Sequence, residues 1–190
     1  YDMVIRDGSS DVCSSDLVEK EVRDKDGISA AAMTAEMTLY WRSKGKSLLE
    51  RLDELYLQHG YHEEKGLNKY FEGPTGMDTM RGIMEAYRAR QPATLGGVAV
   101  SRIRDIKTGL VWDTAQPGAA TKIALPASDV IQWYLDDGTM VTVRPSGTEP
   151  KIKFYILART EVGTDGLEGA RKASAAKVAL ILADIRAVVG

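Results

Sequence analysis

Ten consecutive residues, 144–153, carry the side chains best suited to bind an anion. They read Arg144-Pro145-Ser146-Gly147-Thr148-Glu149-Pro150-Lys151-Ile152-Lys153. The guanidinium of Arg144 can pair bidentately with two phosphate oxygens, and the hydroxyls of Ser146 and Thr148 add further donors. Gly147 is expected to reach a positive φ and to bring consecutive backbone N–H groups close to a ligand. The chemistry that this segment favours is phosphate binding.

The residues on either side predict that the segment is a rigid turn between two strands. Residues 140–143 alternate apolar and polar, and the apolar positions 152, 154 and 156 share one face of a second strand. Pro145 and Pro150 cannot donate to a strand ladder, so both strands should end at them.

Two interpretations of this turn remain open on physical grounds. Lys151 and Lys153 raise the local positive potential, which favours a phosphate site. A solvated turn in which Arg144 pairs with Glu149 accounts for the same residues. The pattern alone does not decide between them.

The bulk composition excludes several classes of function. The 190 residues include 25 basic and 27 acidic side chains, so no global field attracts nucleic acid or an anionic membrane. A single Cys gives neither a disulfide framework nor a zinc spacing, and His59 and His62 form at most half a metal site. Without a bilayer-length apolar run or a signal-peptide pattern, the chain is expected to be cytoplasmic, with no membrane partner.

The helix signals predict four helices. Small and apolar residues over 28–40 predict a well-buried helix that ends near Gly45. Ser47 and Glu50 form a capping box for a second helix, which Gly60 ends. A methionine stripe over 77–84, typical of core filling, marks a third helix that ends before residue 92, and a last amphipathic helix begins at Asp165.

The strand signals predict an antiparallel sheet. Strands are expected over 66–71, 95–105, 130–135, 140–144 and 152–158, with a loop over 108–128 and a hairpin turn at 136–138. The order strand, helix, four strands, helix predicts a small α+β domain whose antiparallel sheet packs against helices.

The string RPSGTEPKIKFY, residues 144–155, resembles the phosphate-binding loop in the C-terminal domain of the α-D-phosphohexomutases, the phosphoglucomutase/phosphomannomutase family. The likeness has no gap. It implies that Arg144, Ser146, Gly147 and Thr148 bind a substrate phosphate, with Lys153 as a weaker electrostatic helper. It therefore favours the phosphate site over the solvated turn.

The same resemblance implies a domain organisation. In this family four domains surround one cleft. Residues 18–62 resemble the C-terminal part of the third domain, an α/β/α domain whose portion here is mostly helical. Residues 63–190 resemble the whole fourth domain. The strings at 22–27 (VRDKDG) and 43–49 (SKGKSLL) are similar to the bacterial glucose-type enzymes.

Residues 1–17 are interpreted as a non-native segment. Residues 11–17, DVCSSDL, are what the end of a common sequencing adapter encodes when it is translated. A Ser-rich polar loop has a similar composition and is the alternative. Cys13 is therefore given no chemical role.

Lys25 is the second residue that the resemblance assigns to chemistry, as a general acid or base beside a sugar hydroxyl. A lysine near other cations and partly dehydrated has a lowered pKa, which suits that role. On sequence grounds alone it belongs to a solvated charge cluster at a helix start. The family's sugar-recognition loop should fall at 12–14, where the adapter-like segment stands, so Ser14 is not assigned.

The implied activity is the interconversion of hexose 1-phosphate and hexose 6-phosphate through a hexose 1,6-bisphosphate. The family's phosphoserine loop and Mg²⁺ loop have no counterpart in this sequence, so the chain is expected to supply the phosphate clamp and to be inactive alone. Its expected partners are a phosphosugar and the missing N-terminal domains. The alternatives are a phosphoglucosamine or phospho-N-acetylglucosamine mutase, or a non-catalytic phosphate-binding module. A nucleic-acid module is disfavoured by the near-neutral charge.

Overall fold

A computed structural model describes residues 27–116 and 118–190 of the chain. Two helices come first, α1 over Gly27–Ser43 and α2 over Leu48–His59. The predicted capping box is confirmed: the Ser47 hydroxyl accepts from the Glu50 N–H, and the Glu50 carboxylate accepts from the Ser47 N–H. Gly60 ends α2 with a φ of 91°, as expected from its lack of a Cβ.

The prediction that the first helix is well buried is wrong. No residue of α1 is buried, and Met33, Met37 and Leu39 are 46%, 47% and 71% exposed. The sequence of α1 is apolar on all sides, which usually indicates burial. Within the described residues its main packing partner is α2, and one neighbouring helix covers only a small part of such a surface.

The rest of the described chain forms one antiparallel sheet with two helices on it. The sheet has the order β1-β8-β7-β6-β3-β4-β5, and β2 pairs with β3. Every pairing is antiparallel, which confirms the predicted α+β architecture. The elements are β1 Tyr61–Tyr70, α3 Gly76–Ala89, β2 Thr94–Leu95, β3 Val98–Asp105, β4 Leu110–Asp113, β5 Thr121–Lys122, β6 Ile131–Leu135, β7 Met140–Pro145, β8 Lys151–Thr160 and α4 Gly166–Val189.

The sheet has more strands than the sequence predicted, for two local reasons. The single strand expected over 95–105 is divided by Gly96 and Gly97, whose φ angles of 58° and 79° form a tight turn between β2 and β3. The expected loop over 108–128 contains β4 and β5, which extend the sheet at the β3 edge. These strands have four and two residues, too few for alternation to show in the sequence.

One face of the sheet is buried beneath α3 and α4. Residues of β8 alternate strictly, so that Ile152, Phe154 and Ile156 enter the core while the residues between them remain half-buried on the other face. We call this second face the outer face. Met80 and Met84 of α3 are buried in the same core, which confirms that the methionine stripe fills it. The β7–β8 connection therefore lies at one end of the sheet, beside the start of α3.

None of the helices in the described ranges combines the length and the hydropathy that crossing a bilayer requires.

Candidate phosphate-binding site

The predicted turn between β7 and β8 is present, with the predicted boundaries. β7 ends at Pro145 and β8 begins at Lys151. The Ser146 N–H donates to the Lys151 carbonyl at 2.8 Å, which closes the base of the loop. The Lys151 N–H donates to the Glu149 carbonyl at 2.7 Å, so the returning half of the loop folds back on itself. We call residues 145–150 the phosphate loop.

The register of the sheet brings two predicted cations together. Arg144 of β7 lies directly opposite Lys153 of β8. Directly opposite residues of an antiparallel pair point to the same face, here the outer face, with Cβ atoms about 5 Å apart. Both side chains are half-buried, at the point where the strands meet the loop. Ser146 is half-buried and Thr148 is exposed beside them, so the structure places the five predicted phosphate ligands at one end of the sheet.

The backbone conformation expected for Gly147 is wrong. Its φ lies outside the left-handed region, although nine other glycines in the described ranges have positive φ values. A Cβ built at Gly147 meets no heavy atom within 4 Å. Neither the backbone conformation nor the packing around residue 147 therefore requires a glycine. Open space over the backbone is what the close approach of a ligand would use.

A cavity of about 460 Å³ adjoins the phosphate loop. Its lining includes Met77, Met80 and Met84 of α3 and residues 144–147. Gly76 allows the start of α3 to lie close to the loop. A Cβ at that position would lie 2.4 Å from the Phe71 carbonyl oxygen and 3.0 Å from the Pro150 Cβ. The start of α3 thus packs directly against the loop.

An ion cluster that the sequence did not indicate contributes Arg88 and Asp129 to the lining of this cavity. Arg88 of α3 donates to Asp105 of β3 at 3.1 and 3.4 Å and to Asp129 at 2.5 Å. Burial alone would lower the pKa of Arg88, but the hydrogen bonds to the two carboxylates raise it, so the cation is firmly held. Asp105 occupies a buried position of β3. An acidic residue on the apolar face of a strand was the signal that could have revealed the cluster.

The charged group of Lys151 is engaged with two neighbouring side chains. Its Nζ lies 2.5 Å from Glu149 Oε2 and 3.3 Å from the Tyr70 hydroxyl, and 4.9 Å from the centre of the Tyr70 ring. The side chain is only 12% exposed. The hydrogen bond to Glu149, followed by that to Tyr70, raises the pKa of Lys151, and the same ion pair lowers the pKa of Glu149.

The described residues offer no site for a divalent metal. Nowhere in 27–116 and 118–190 do three His, Cys, Asp or Glu side chains converge as ligands would. The carboxylates of Asp105 and Asp129 are both paired with Arg88. Lys25, Ser14 and the adapter-like segment lie outside the described residues.

Comparison with known proteins connects the chain to sugar-phosphate mutases. The family profile "Phosphoglucomutase/phosphomannomutase, C-terminal domain" matches residues 100–170, which include the phosphate loop. A phosphoglucomutase of Staphylococcus haemolyticus is 32% identical over 140 residues, which are 74% of this chain and 25% of the relative. A glucose 1,6-bisphosphate synthase of Mus musculus is 38% identical over 141 residues, 70% of this chain and 22% of the relative.

Among solved structures, the chain is similar to the open form of pp63/parafusin, a phosphoglucomutase from Paramecium. The TM-score is 0.48 at 15% identity, over 88% of this chain and 27% of that one. This chain spans about a quarter of the length of the curated relatives it matches.

Proposed function

Because this chain belongs to the phosphoglucomutase/phosphomannomutase family, we propose that its phosphate loop holds a phosphate group of a sugar phosphate. The observation that carries the proposal is the pairing of Arg144 and Lys153 across β7 and β8, beside the accessible loop backbone. The two cations at the strand ends and the hydroxyls of Ser146 and Thr148 supply both charge and directed donors.

Each of these residues has a distinct proposed role in phosphate binding. Arg144 provides a planar fork that can meet two phosphate oxygens at once. Ser146 and Thr148 donate hydroxyl hydrogens, and the uncovered backbone at Gly147 lets an oxygen approach closely. Lys153 adds positive potential from the neighbouring strand.

The chain spans about a quarter of the length of its relatives, and for a protein of that length containing it we propose the interconversion of hexose 1-phosphate and hexose 6-phosphate. A phosphoserine elsewhere in that protein would exchange its phosphoryl group with the sugar, giving a hexose 1,6-bisphosphate. The phosphate loop would hold the phosphate that does not react. Such transfer depends mostly on positioning and charge stabilisation. Lys25 is proposed as the general acid or base that serves the sugar hydroxyl.

The remaining proposals concern the parts of the protein around this site. Residues 18–62 would complete a third domain and 63–190 would form a fourth, although β1 begins slightly earlier, at Tyr61. The upstream domains would be its partners and would supply the Mg²⁺ ligands, because the described residues do not fit such a site. We expect a cytoplasmic enzyme of carbohydrate metabolism.

Two alternatives are less well supported. A phosphoglucosamine or phospho-N-acetylglucosamine mutase would use the same loop, but relatives named phosphoglucomutase favour glucose phosphates. A non-catalytic phosphate-binding module would share the loop, yet the matched relatives carry mutase and synthase names.

A titration of the full 190-residue chain tests the proposed phosphate site. We expect glucose 6-phosphate, but not glucose, to shift the amide resonances of the non-proline residues within 144–153 in an NMR titration. Arg144→Lys keeps the charge and loses the fork. Losing one charge-assisted hydrogen bond, worth about 1.5–3 kcal/mol, weakens binding by roughly one to two orders of magnitude.

The matched control is Arg102→Lys, which makes the same change in an exposed ion pair with Asp113. It should leave the affinity unchanged. If Arg144→Lys binds glucose 6-phosphate as tightly as the parent, the loop is a solvated turn and the proposed function fails.

A further inference from the structure

The phosphate loop contains an acidic residue, which is unfavourable for a site that binds an anion. Glu149 stands immediately after Thr148 and two residues after Gly147. Its side chain is about half exposed, at 53%. A carboxylate and a phosphate dianion about 8 Å apart in a medium close to water repel by an energy equivalent to about a fivefold change in affinity. Unless the charge of Glu149 is neutralised, it opposes the binding that the neighbouring residues favour.

The structure provides the neutralising partner at close range. Lys151 Nζ lies 2.5 Å from Glu149 Oε2. The Tyr70 hydroxyl and ring contact the same ammonium group, at 3.3 Å and 4.9 Å respectively. With its side chain 12% exposed and its charge engaged twice, Lys151 has little freedom to reach a bound phosphate.

The backbone fixes this arrangement in place. The Phe71 N–H donates to the Pro150 carbonyl at 2.8 Å, between the two residues of the ion pair. Tyr70 also faces Lys151 directly in the β1–β8 register. The returning half of the loop is therefore fastened to the end of β1, where the Glu149 carboxylate pairs with Lys151.

From this geometry we infer that Lys151, itself held by Tyr70, is a positioning residue that acts on phosphate binding through Glu149 by neutralising its carboxylate. Lys151 is thus not a phosphate ligand. The inference rests on the proposed function, because it concerns the affinity of the same loop for phosphate.

The decisive experiment compares single and double variants of the full chain in NMR titrations with glucose 6-phosphate and with inorganic phosphate. Lys151→Met leaves the Glu149 charge uncompensated and should weaken both ligands about fivefold at low salt. This deficit should shrink as salt screens the repulsion, which a purely structural defect would not do. Lys151→Arg can keep the ion pair and the ring contact, so it should bind as the parent does.

The double variant Glu149→Gln/Lys151→Met distinguishes a positioning residue from a direct ligand. With both charges removed, its affinity should return to within about twofold of the parent. Lys172→Met is the control, since it removes an exposed lysine near the start of α4, at the opposite end of the sheet from the loop. It should change nothing.

Several results would overturn the inference while the proposed function survives. If the double variant binds as weakly as Lys151→Met, Lys151 is a direct ligand. If Lys151→Met binds with parental affinity, Lys151 has no effect on phosphate binding. If Lys151→Met does not fold, the double variant still decides: a loss of fivefold or more against the parent refutes the inference. A parent that binds neither ligand, or an Arg144→Lys variant with parental affinity, would instead refute the proposed function itself.

Discussion

Adding one methyl group at Gly147 should affect the stability of the fold and the affinity for phosphate in opposite directions. In Gly147→Ala the new Cβ meets no protein atom within 4 Å, and the backbone φ lies outside the region that favours glycine. Alanine restricts the unfolded chain, so the fold should be unchanged or more stable by about 0.4–1 kcal/mol. For a chain of this size that corresponds to a rise in Tm of roughly 1–4 °C.

Phosphate binding should move in the opposite direction. The methyl group would occupy the open space over the loop backbone, and a phosphate oxygen could then no longer reach the N–H groups there. Losing one such charge-assisted hydrogen bond costs about 1.5–3 kcal/mol, which is roughly a 10-fold to 150-fold loss of affinity. Thermal unfolding and an NMR titration with glucose 6-phosphate measure the two effects on one protein preparation.

Gly82→Ala is the matched control for this pair of measurements. Gly82 is exposed in the middle of α3, and a Cβ there also meets nothing within 4 Å. Alanine should stabilise this helix interior by about 1 kcal/mol and leave the ligand affinity alone. If Gly147→Ala binds glucose 6-phosphate as tightly as Gly82→Ala does, the ligand does not approach the backbone at residue 147. The reasoning about open space would then be refuted.

Two further predictions concern the ion pairs that support the sheet. Arg88→Met should lower stability by about 3–5 kcal/mol, because it leaves Asp105, only 3% exposed, without its partner. Arg102→Met removes an exposed pair and should cost at most about 1 kcal/mol; equal losses in urea unfolding would contradict the buried-pair argument. Burial alone would raise the pKa of Asp137, but the hydrogen bonds from Lys177 and the residue 139 backbone outweigh it and lower the pKa. A depressed folded-state pKa gives stability that is present above the unfolded pKa of about 3.9 and is lost as pH falls through the folded value. Lys177→Met should therefore flatten the acid side of the stability profile, and an unchanged slope below about pH 5 would disprove this.

Much of the fold could be predicted because its signals are local. Pro145 and Pro150 bound the phosphate loop as expected, and Ser47 with Glu50 caps α2. The first prediction depends on the missing N–H of proline and the second on two side chains three residues apart. Both interactions are local, so the neighbouring sequence is enough to predict them. The short strands β4 and β5 were missed because their stability comes from pairing at a sheet edge, which no local pattern records.

Burial was the least predictable property, since it depends on what lies opposite a surface. The apolar residues of α1 predicted a core helix, yet Leu39 is 71% exposed in the described part of the chain. The Arg88 cluster shows the converse. Arg88 and Asp129 are 41 positions apart, and only the packing of α3 against the sheet brings them together. A sequence can indicate that Asp105 is unusual in a strand, but it cannot name the partner.

The phosphate loop combines both kinds of information, and the combination changes how its charges are understood. By sequence, Lys151 and Lys153 are equivalent cations two residues apart, and both should raise the potential at the site. In the sheet, Lys153 faces Arg144, whereas Lys151 faces Tyr70 and pairs with Glu149. Tyr70 lies 81 positions earlier in the chain. Strand register therefore decides which of the two lysines faces Arg144 and which pairs with a carboxylate, and a count of charges along the motif does not reveal it.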